Sequence, residues 1–304
     1  MRILEKTNIN FMATRKIWYA FSLGVIFIGL IGVAVRGISF GIDFLGGTEV
    51  LVRFENPPAI TEVRDAIQKA GYSSSEIKVF GSPSDILIRT AEQTQGTTAL
   101  DVIRKELTTQ FPNNPFKILK EDKIGPKIGA ELRTNAIYAI FSAMLIILIY
   151  IGFRFQFIYG LAGVIALFHD VIATFGIIVL INGLSPYLNL EIDQNIMAAF
   201  LTLVGFSIND TVVVFDRIRE NLKIHKAEDL STIMNRSVNE TLSRTIITNG
   251  TVFLVLAVLV IFGGEVNRGF AFTFFIGTIL GTYSSIYVAS ALVLDFSERK
   301  SLKK

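Results

Sequence analysis

Six long stretches of this chain carry almost no charge, and the polar residues are arranged around them. The first, 17–35, lies between Lys16 and Arg36, with Trp18 and Tyr19 in its first turn, where interfacial aromatics stand. The others are 134–153, 157–181, 196–215, 246–262 and 270–294. Each approaches the ~20 apolar residues that cross a bilayer as a helix. The first core is too long for a signal peptide, which also needs a small-residue cleavage site, so an uncleaved helix is expected. In the last span Gly277, Gly281, Ser285 and Ala289 recur at four-residue intervals, the spacing that lets helix backbones approach closely.

Residues 36–133 follow a different pattern. Thr48 to Phe54 alternates, with Val50, Val52 and Phe54 on one face, and predicts a strand ended by Pro57-Pro58. Thr61 to Ala70 places Val63, Ile67 and Ala70 on one helical side, with Gly71 as a stop. Short strands follow at Glu76–Phe80 and Asp85–Thr90, around a turn at Gly81 to Ser84. A second helix is expected over Thr98–Gln110 and a last strand over Phe116–Glu121. The order β-α-β-β-α-β predicts a small α+β domain of ferredoxin-like topology.

Charge orients this layout. The loop 216–245 carries Arg217, Arg219, Lys223, Lys226, Arg236 and Arg244, whereas the loop 182–195, broken at Pro186, has no Lys or Arg. The positive-inside rule then puts 1–16, with Arg2 and Lys6, the loop 216–245 and 295–304, with Arg299, Lys300, Lys303 and Lys304, in the cytoplasm. The domain 36–133 falls on the outer face. Leu230 to Leu242 has helical spacing and is expected to lie against the membrane. Gly263 to Gly269 reads as a tight outer turn.

Composition agrees with a polytopic membrane protein: 51% of residues are hydrophobic and 25 are Phe. The net charge of +3 flanks the spans and gives no argument for nucleic acid. Cysteine is absent, which excludes disulfides, thiolate metal sites and Cys nucleophiles. With only two histidines a His-rich metal centre is not expected. No P-loop or catalytic triad pattern is present, so no enzyme activity, cofactor or metal is expected.

One polar interruption stands out. Asp210 lies inside the fourth apolar run, within Gly205-Phe206-Ser207-Ile208-Asn209-Asp210-Thr211. A charge at the membrane centre costs ~2.5–3.5 kcal/mol on the insertion scale, so such a residue is a candidate for ion relay. Ser207, three residues before, and Arg217, seven after, share its helix face. The plainer alternative is an acid that only holds helices together. Ser207, Asn209 and Thr211 favour a functional role. Arg244, at the inner mouth of the fifth span, is either a relay partner or a snorkelling cation. His169-Asp170 lies at membrane depth. Its side chains leave a helix ~100° apart, which favours a packed pair over two groups facing one target. Asp43 with Gly41, Gly46 and Gly47 reads as a tight turn that fixes how the domain leaves the first helix.

Two motifs then meet this topology: Gly41-Ile42-Asp43-Phe44-Leu45-Gly46-Gly47-Thr48 after the first span, and Gly205 to Asn221 ending the fourth. With Phe168-His169-Asp170-Val171, Arg244-Thr245-Ile246-Ile247-Thr248 and Ser284 to Ala289 they closely resemble the SecF branch of the SecD/SecF family, in the RND superfamily. The resemblance covers nearly the whole chain. It implies a half-transporter of six helices that pairs with SecD and associates with the SecYEG channel and YajC in the bacterial inner membrane. It also implies use of the proton or sodium gradient to help draw exported preproteins across. It places the family's essential intramembrane acid on Asp210 and its important arginine on Arg244. A fused chain holding both halves would be far longer, so SecD is expected as a separate polypeptide. The alternatives are a scaffold that moves no ions and half of a small-molecule efflux pump, although such pumps usually carry two large outer domains.

Overall fold

The computed structural model describes residues 7–73, 75–91, 99–185 and 187–301. Arg2, Lys6, Thr98, Pro186, Lys303 and Lys304 lie outside these, as do the side chains of Arg299 and Lys300. Six helices among the described residues are long and apolar enough to cross a membrane, and a four-stranded α+β domain stands between the first and the second. The chain divides into two compact units. One comprises 38–137 and 181–195; the other holds the rest.

Helix α1 (Arg15–Arg36) ends at Gly37, whose φ of 71° turns the chain out. A one-turn helix α2 (Ile42–Leu45) follows, then β1 (Gly47–Phe54), α3 (Ile60–Lys69), β2 (Glu76–Phe80), β3 (Ser82–Thr90), α4 (Ala99–Gln110) and β4 (Phe116–Ile124). The sheet order is β2-β3-β1-β4 with every pair antiparallel, the arrangement of a ferredoxin-like fold. The alternation seen in β1 has its consequence here. Val50 and Val52, paired with Ile88 and Ile86, join Val63, Ile67, Ile103 and Leu107 in one core under the two helices. The β2–β3 turn is tighter than its sequence suggests. Phe80 pairs with Ser82, so Gly81 alone reverses the chain at φ 80°, and Ser82 to Ser84 belong to the strand.

The glycine motif is a packing device. Gly46 and Gly47 have φ of 76° and 130°. A Cβ on Gly46 would stand 2.7 Å from the Pro126 backbone, and one on Gly47 2.6 Å from the Thr90 carbonyl oxygen. The loop before the fourth span packs into the same unit. Gly41 N–H donates to Ile192 O at 3.0 Å and Ile192 N–H to Ser39 O at 2.8 Å. Glu191 is buried against the sheet, 2.6 Å from both Arg89 and Lys78. Burial by itself would raise the Glu191 carboxyl, but hydrogen bonds and charge from Arg89 and Lys78 outweigh it and hold the group below the usual carboxylate range.

The remaining helices are α5 (Pro126–Arg154), α6 (Phe157–Ile181), α7 (Gln194–Ile224), α8 (Leu230–Phe262) and α9 (Gly264–Ser284), which passes through a π-turn at Ser285–Ala289 into α10 (Ser290–Ser301). Several ends differ from the hydropathy pattern. Leu230 to Leu242 is no separate surface helix; it is the first part of α8. Asp229 caps that helix by accepting from the Thr232 N–H at 3.0 Å. Once a turn is nucleated, extending it costs less than starting anew. Met234, Val238 and Leu242 then bury in one cluster with Phe11, Met12 and Ile218. The outer turn is also shorter: α8 ends at Phe262 and α9 starts at Gly264, where φ is 73°.

Breaking the Arg89–Glu49–Glu191 cluster tests the smaller unit. Arg89 pairs with Glu49 at 2.7 Å, Glu76 at 3.1 Å and Glu191 at 2.6 Å, and Arg89→Ala leaves these three carboxylates without their shared cation. It should destabilise residues 47–90 by about 3–5 kcal/mol, measured by hydrogen exchange of the β1 and β3 amides. The depressed Glu191 value means that its stabilising contribution is complete above the ordinary Glu range. That contribution disappears as pH falls through the folded value. Glu191→Gln should flatten this acid limb.

Candidate functional site

The site forms where α7 lies against α9. Small residues of α9 face a matching row on α7. A Cβ on Gly277 would come within 2.6 Å of the Leu203 side chain, and one on Gly281 within 3.0 Å of Ser207 Oγ. Ser285 Oγ meets Thr211 Oγ1 at 3.0 Å. At this close contact two acids are buried.

Asp210, 5% exposed, takes a hydrogen bond from the Asn249 amide of α8. The same Nδ2 donates to Thr282 Oγ1 of α9 at 2.7 Å, and Thr282 in turn donates to the Thr278 carbonyl at 2.6 Å. Among the described residues no donor meets Asn249 Oδ1, although that atom is buried. The positive charge of Arg244 reaches Asp210. Arg244 itself is exposed and lines a cavity of about 1150 Å³ between α7, α8 and the chain start at Thr7 to Asn10. Val213 and Thr248 line the same cavity. Val213 stands three residues after Asp210, and Thr248 directly precedes Asn249. The cavity therefore approaches the buried acid to within about one helical turn.

Asp170 is fully buried on α6. Its Oδ1 is 2.9 Å from His169 Nδ1, and its Oδ2 accepts from Ser207 Oγ at 2.6 Å and Ser284 Oγ at 2.8 Å. His169 Nε2 lies 2.7 Å from Tyr283 Oη, which lies 3.0 Å from Ser22 Oγ of α1.

The sequence-derived candidates therefore separate. Ser207 turns to Asp170, and Thr211 to Ser285 and the Ser207 carbonyl. Asn209 is exposed. Arg217 bonds Glu240 and Glu220, each at 2.6 Å, at the rim of the cavity. His169 and Asp170 form a bonded pair, joined to three further helices. Asp43 accepts from the Gln194 N–H at 2.9 Å and so caps the start of α7, while Gly41, Gly46 and Gly47 fold the loop around it. Asn249, Thr282, Tyr283, Ser284 and Ser22 were missed. Their signal is polar residues inside apolar runs, the run Thr282 to Ser285, Asn249 beside Thr248, and Ser22, none of which names its partner helix. Among the described residues no cluster of three metal-ligating side chains occurs.

Comparisons with known proteins agree with this layout. The family model for the C-terminal part of the protein export membrane proteins SecD/SecF matches residues 103–299, and that for the SecD/SecF GG motif matches 31–58. The chain is 43% identical to a protein translocase subunit SecF of Rhodothermus marinus, over all of this chain and 98% of the relative. It is also 43% identical to the SecF of Desulfurispirillum indicum, over 96% of this chain and 92% of the relative. The crystal structure of SecDF from Thermus thermophilus, described as a translocon-associated membrane protein, superposes with a TM-score of 0.85 at 34% identity. The match covers 98% of this chain and 40% of that one. A SecDF structure in a super-membrane-facing form gives 0.72 at 34% identity, over 99% and 40%. The chain thus spans nearly the full length of these SecF relatives and two fifths of the SecDF chain.

Burial separates the roles of two polar residues. Asn249→Ala should lower stability in detergent by about 1–3 kcal/mol, because it strips a buried carboxyl and a hydroxyl of their partner. Arg217→Ala, which breaks pairs on a partly exposed side chain, should cost about 0–1 kcal/mol. Thermal unfolding of the two variants measures both.

Proposed function

The chain belongs to the SecD/SecF family, and we propose that it acts with a SecD partner to turn an ion gradient into late steps of protein export. It is a multi-pass membrane protein of the protein translocase SecF group. In this reading the membrane is the bacterial inner membrane, both termini are cytoplasmic and the ferredoxin-like domain is periplasmic. The SecYEG channel, YajC and exported preproteins are its partners. The chain is not an enzyme. Its energy comes from the gradient, where one charge crossing 100 mV supplies ~2.3 kcal/mol.

The observation that carries the proposal is Asp210 on Asn249. A carboxylate in the middle of a membrane helix is retained at a cost, and here its partner is an amide. An amide offers a donor on one side and an acceptor on the other. Asn249 Nδ2 serves the ionised acid. When Asp210 takes up a proton, half a turn of the amide brings the unused Oδ1 to accept the new O–H. Both forms of Asp210 are then hydrogen-bonded, which lowers the cost of passing between them. Arg244, in the cavity wall, puts positive charge beside the entry route. A proton fits this exchange directly. A sodium ion would instead use the Asp210 and Asn249 oxygens as ligands.

The buried Asp170 supports one rival reading. This fold also uses an intramembrane acid as a joint between helices, and a scaffold subunit would use Asp210 in the same way. Asp210→Asn decides between them when tested for secretion in cells lacking the native subunit, at matched membrane levels and with SecD present. Transduction predicts export no better than in cells without the subunit. Export at the wild-type rate would mean that Asp210 is structural and that the scaffold reading holds.

A further inference from the structure

We propose that Asp170 is a positioning residue for Asp210: its carboxylate locks α7 to α9 in the one register that lets Asn249 bridge Asp210 of α7 and Thr282 of α9. The proposal rests on the reading of Asp210 as the ion-coupling group. It assigns a role to an acid that this reading does not use.

The geometry is specific. Oδ2 of Asp170 accepts from a serine on each of the two helices, Ser207 on α7 and Ser284 on α9. Ser207 stands three residues before Asp210 on the same helix face, and Ser284 two residues after Thr282. Each hydroxyl held by Asp170 therefore lies within one turn of a residue in the Asp210 site. The second oxygen is held by His169, whose other ring nitrogen is bonded through Tyr283 to Ser22, so the acid is fixed from α1 as well. Gly281 leaves the room. A Cβ there would meet Ser207 Oγ at 3.0 Å and Asp170 Oδ2 at 3.5 Å. Ser284 is also the last residue before the π-turn, where helical hydrogen bonding changes step. A slip in the α9 register there would carry Thr282 away from Asn249.

The two serine hydroxyls require an acceptor at Oδ2. At the other oxygen an Asn of the same shape presents a donor, and it keeps its His169 contact only by forcing the opposite ring tautomer, which reverses the bond to Tyr283. The titratable group bonded to Asp170 is His169, with Tyr283 on the far nitrogen of that ring. The charge that reaches Asp210 is that of Arg244.

The test uses the full chain with its SecD partner in native membranes. A hydrophobic carbodiimide modifies buried carboxyls while they are protonated, and fragment mass spectrometry assigns the label to Asp210 separately from Asp170. Asp170→Asn and Ser284→Ala should leave membrane level and partner co-purification close to wild type. They should move the pH midpoint of Asp210 labelling by about one unit or more. Export should fall by about 10- to 100-fold, as misplacement of a working group by an ångström does. Gly281→Ala keeps every polar group and displaces Ser207, so it should shift the midpoint in the same way. If Asp170→Asn does not accumulate, the other two variants carry the test. An unchanged labelling midpoint in Ser284→Ala and Gly281→Ala overturns the proposal, whatever happens to export. The labelling does not depend on what Asp210 does. A shifted midpoint with normal export in Asp210→Asn would therefore overturn the ion-coupling reading and leave the positioning itself established.

Discussion

Where α7 and α9 touch, the helices come so close that a methyl group on Gly277 or Gly281 would strike the side chains opposite. Between membrane helices there is no hydrophobic drive to association, since lipid tails are as apolar as Leu. Close packing and interhelical hydrogen bonds hold them instead. The row Gly277, Gly281, Ser285 of α9 against Leu203, Ser207, Thr211 of α7 supplies both. The glycines shorten the distance, and at that distance short hydroxyls such as Ser207 and Ser284 reach a shared acceptor. A larger residue at position 281 would separate the hydroxyls from the acid, so packing and polarity are one constraint here.

That contact encloses two carboxyls in different surroundings. Asp170 meets two serine donors and the His169 ring, and this network reaches four helices. Asp210 has one amide donor and lies about a turn from a polar cavity. In a low-dielectric interior a saturated network is rigid, whereas a sparsely bonded group can rearrange its partners. The two acids therefore differ in how many partners hold them: Asp170 is bonded from several helices, Asp210 by the one amide of Asn249.

Much of this was visible in the pattern of residues. The six apolar runs, the alternation of Val50, Val52 and Phe54, and the order of elements in the small domain follow from hydropathy and period, which local sequence carries. The small-residue stripe in the last span announced a close helix contact but not the helix that meets it. Helix ends were less legible. In α8 the first turns are polar on one side, and their burial depends on Phe11 and Met12 from the far end of the chain. The site was legible in its centre and not in its partners. Arg217 shares a face with Asp210, yet ~10 Å of rise separates them, and Glu240 on another helix takes the guanidinium first. Asn249 has no local signature, because a lone amide becomes meaningful only when another helix brings an acid to it. His169 and Asp170 form the packed pair their spacing predicts, but the serines that hold the other Asp170 oxygen come from two further helices and carry no local signal.

Position along α7 is fixed twice, and the two points differ in kind. At its start Asp43 accepts the Gln194 N–H, filling one of the donors that a helix leaves open at its N-terminus. That bond depends on the glycine turn at Gly46 and Gly47, where a side chain would collide with Pro126 and Thr90. Near its middle, Ser207 is held by Asp170. A helix is stiff along its axis, so two anchors a few turns apart fix its position. Here they lie 13 residues apart, roughly 20 Å at 1.5 Å per residue. Asp210 follows the second anchor by less than one turn, where α7 has the least freedom to drift.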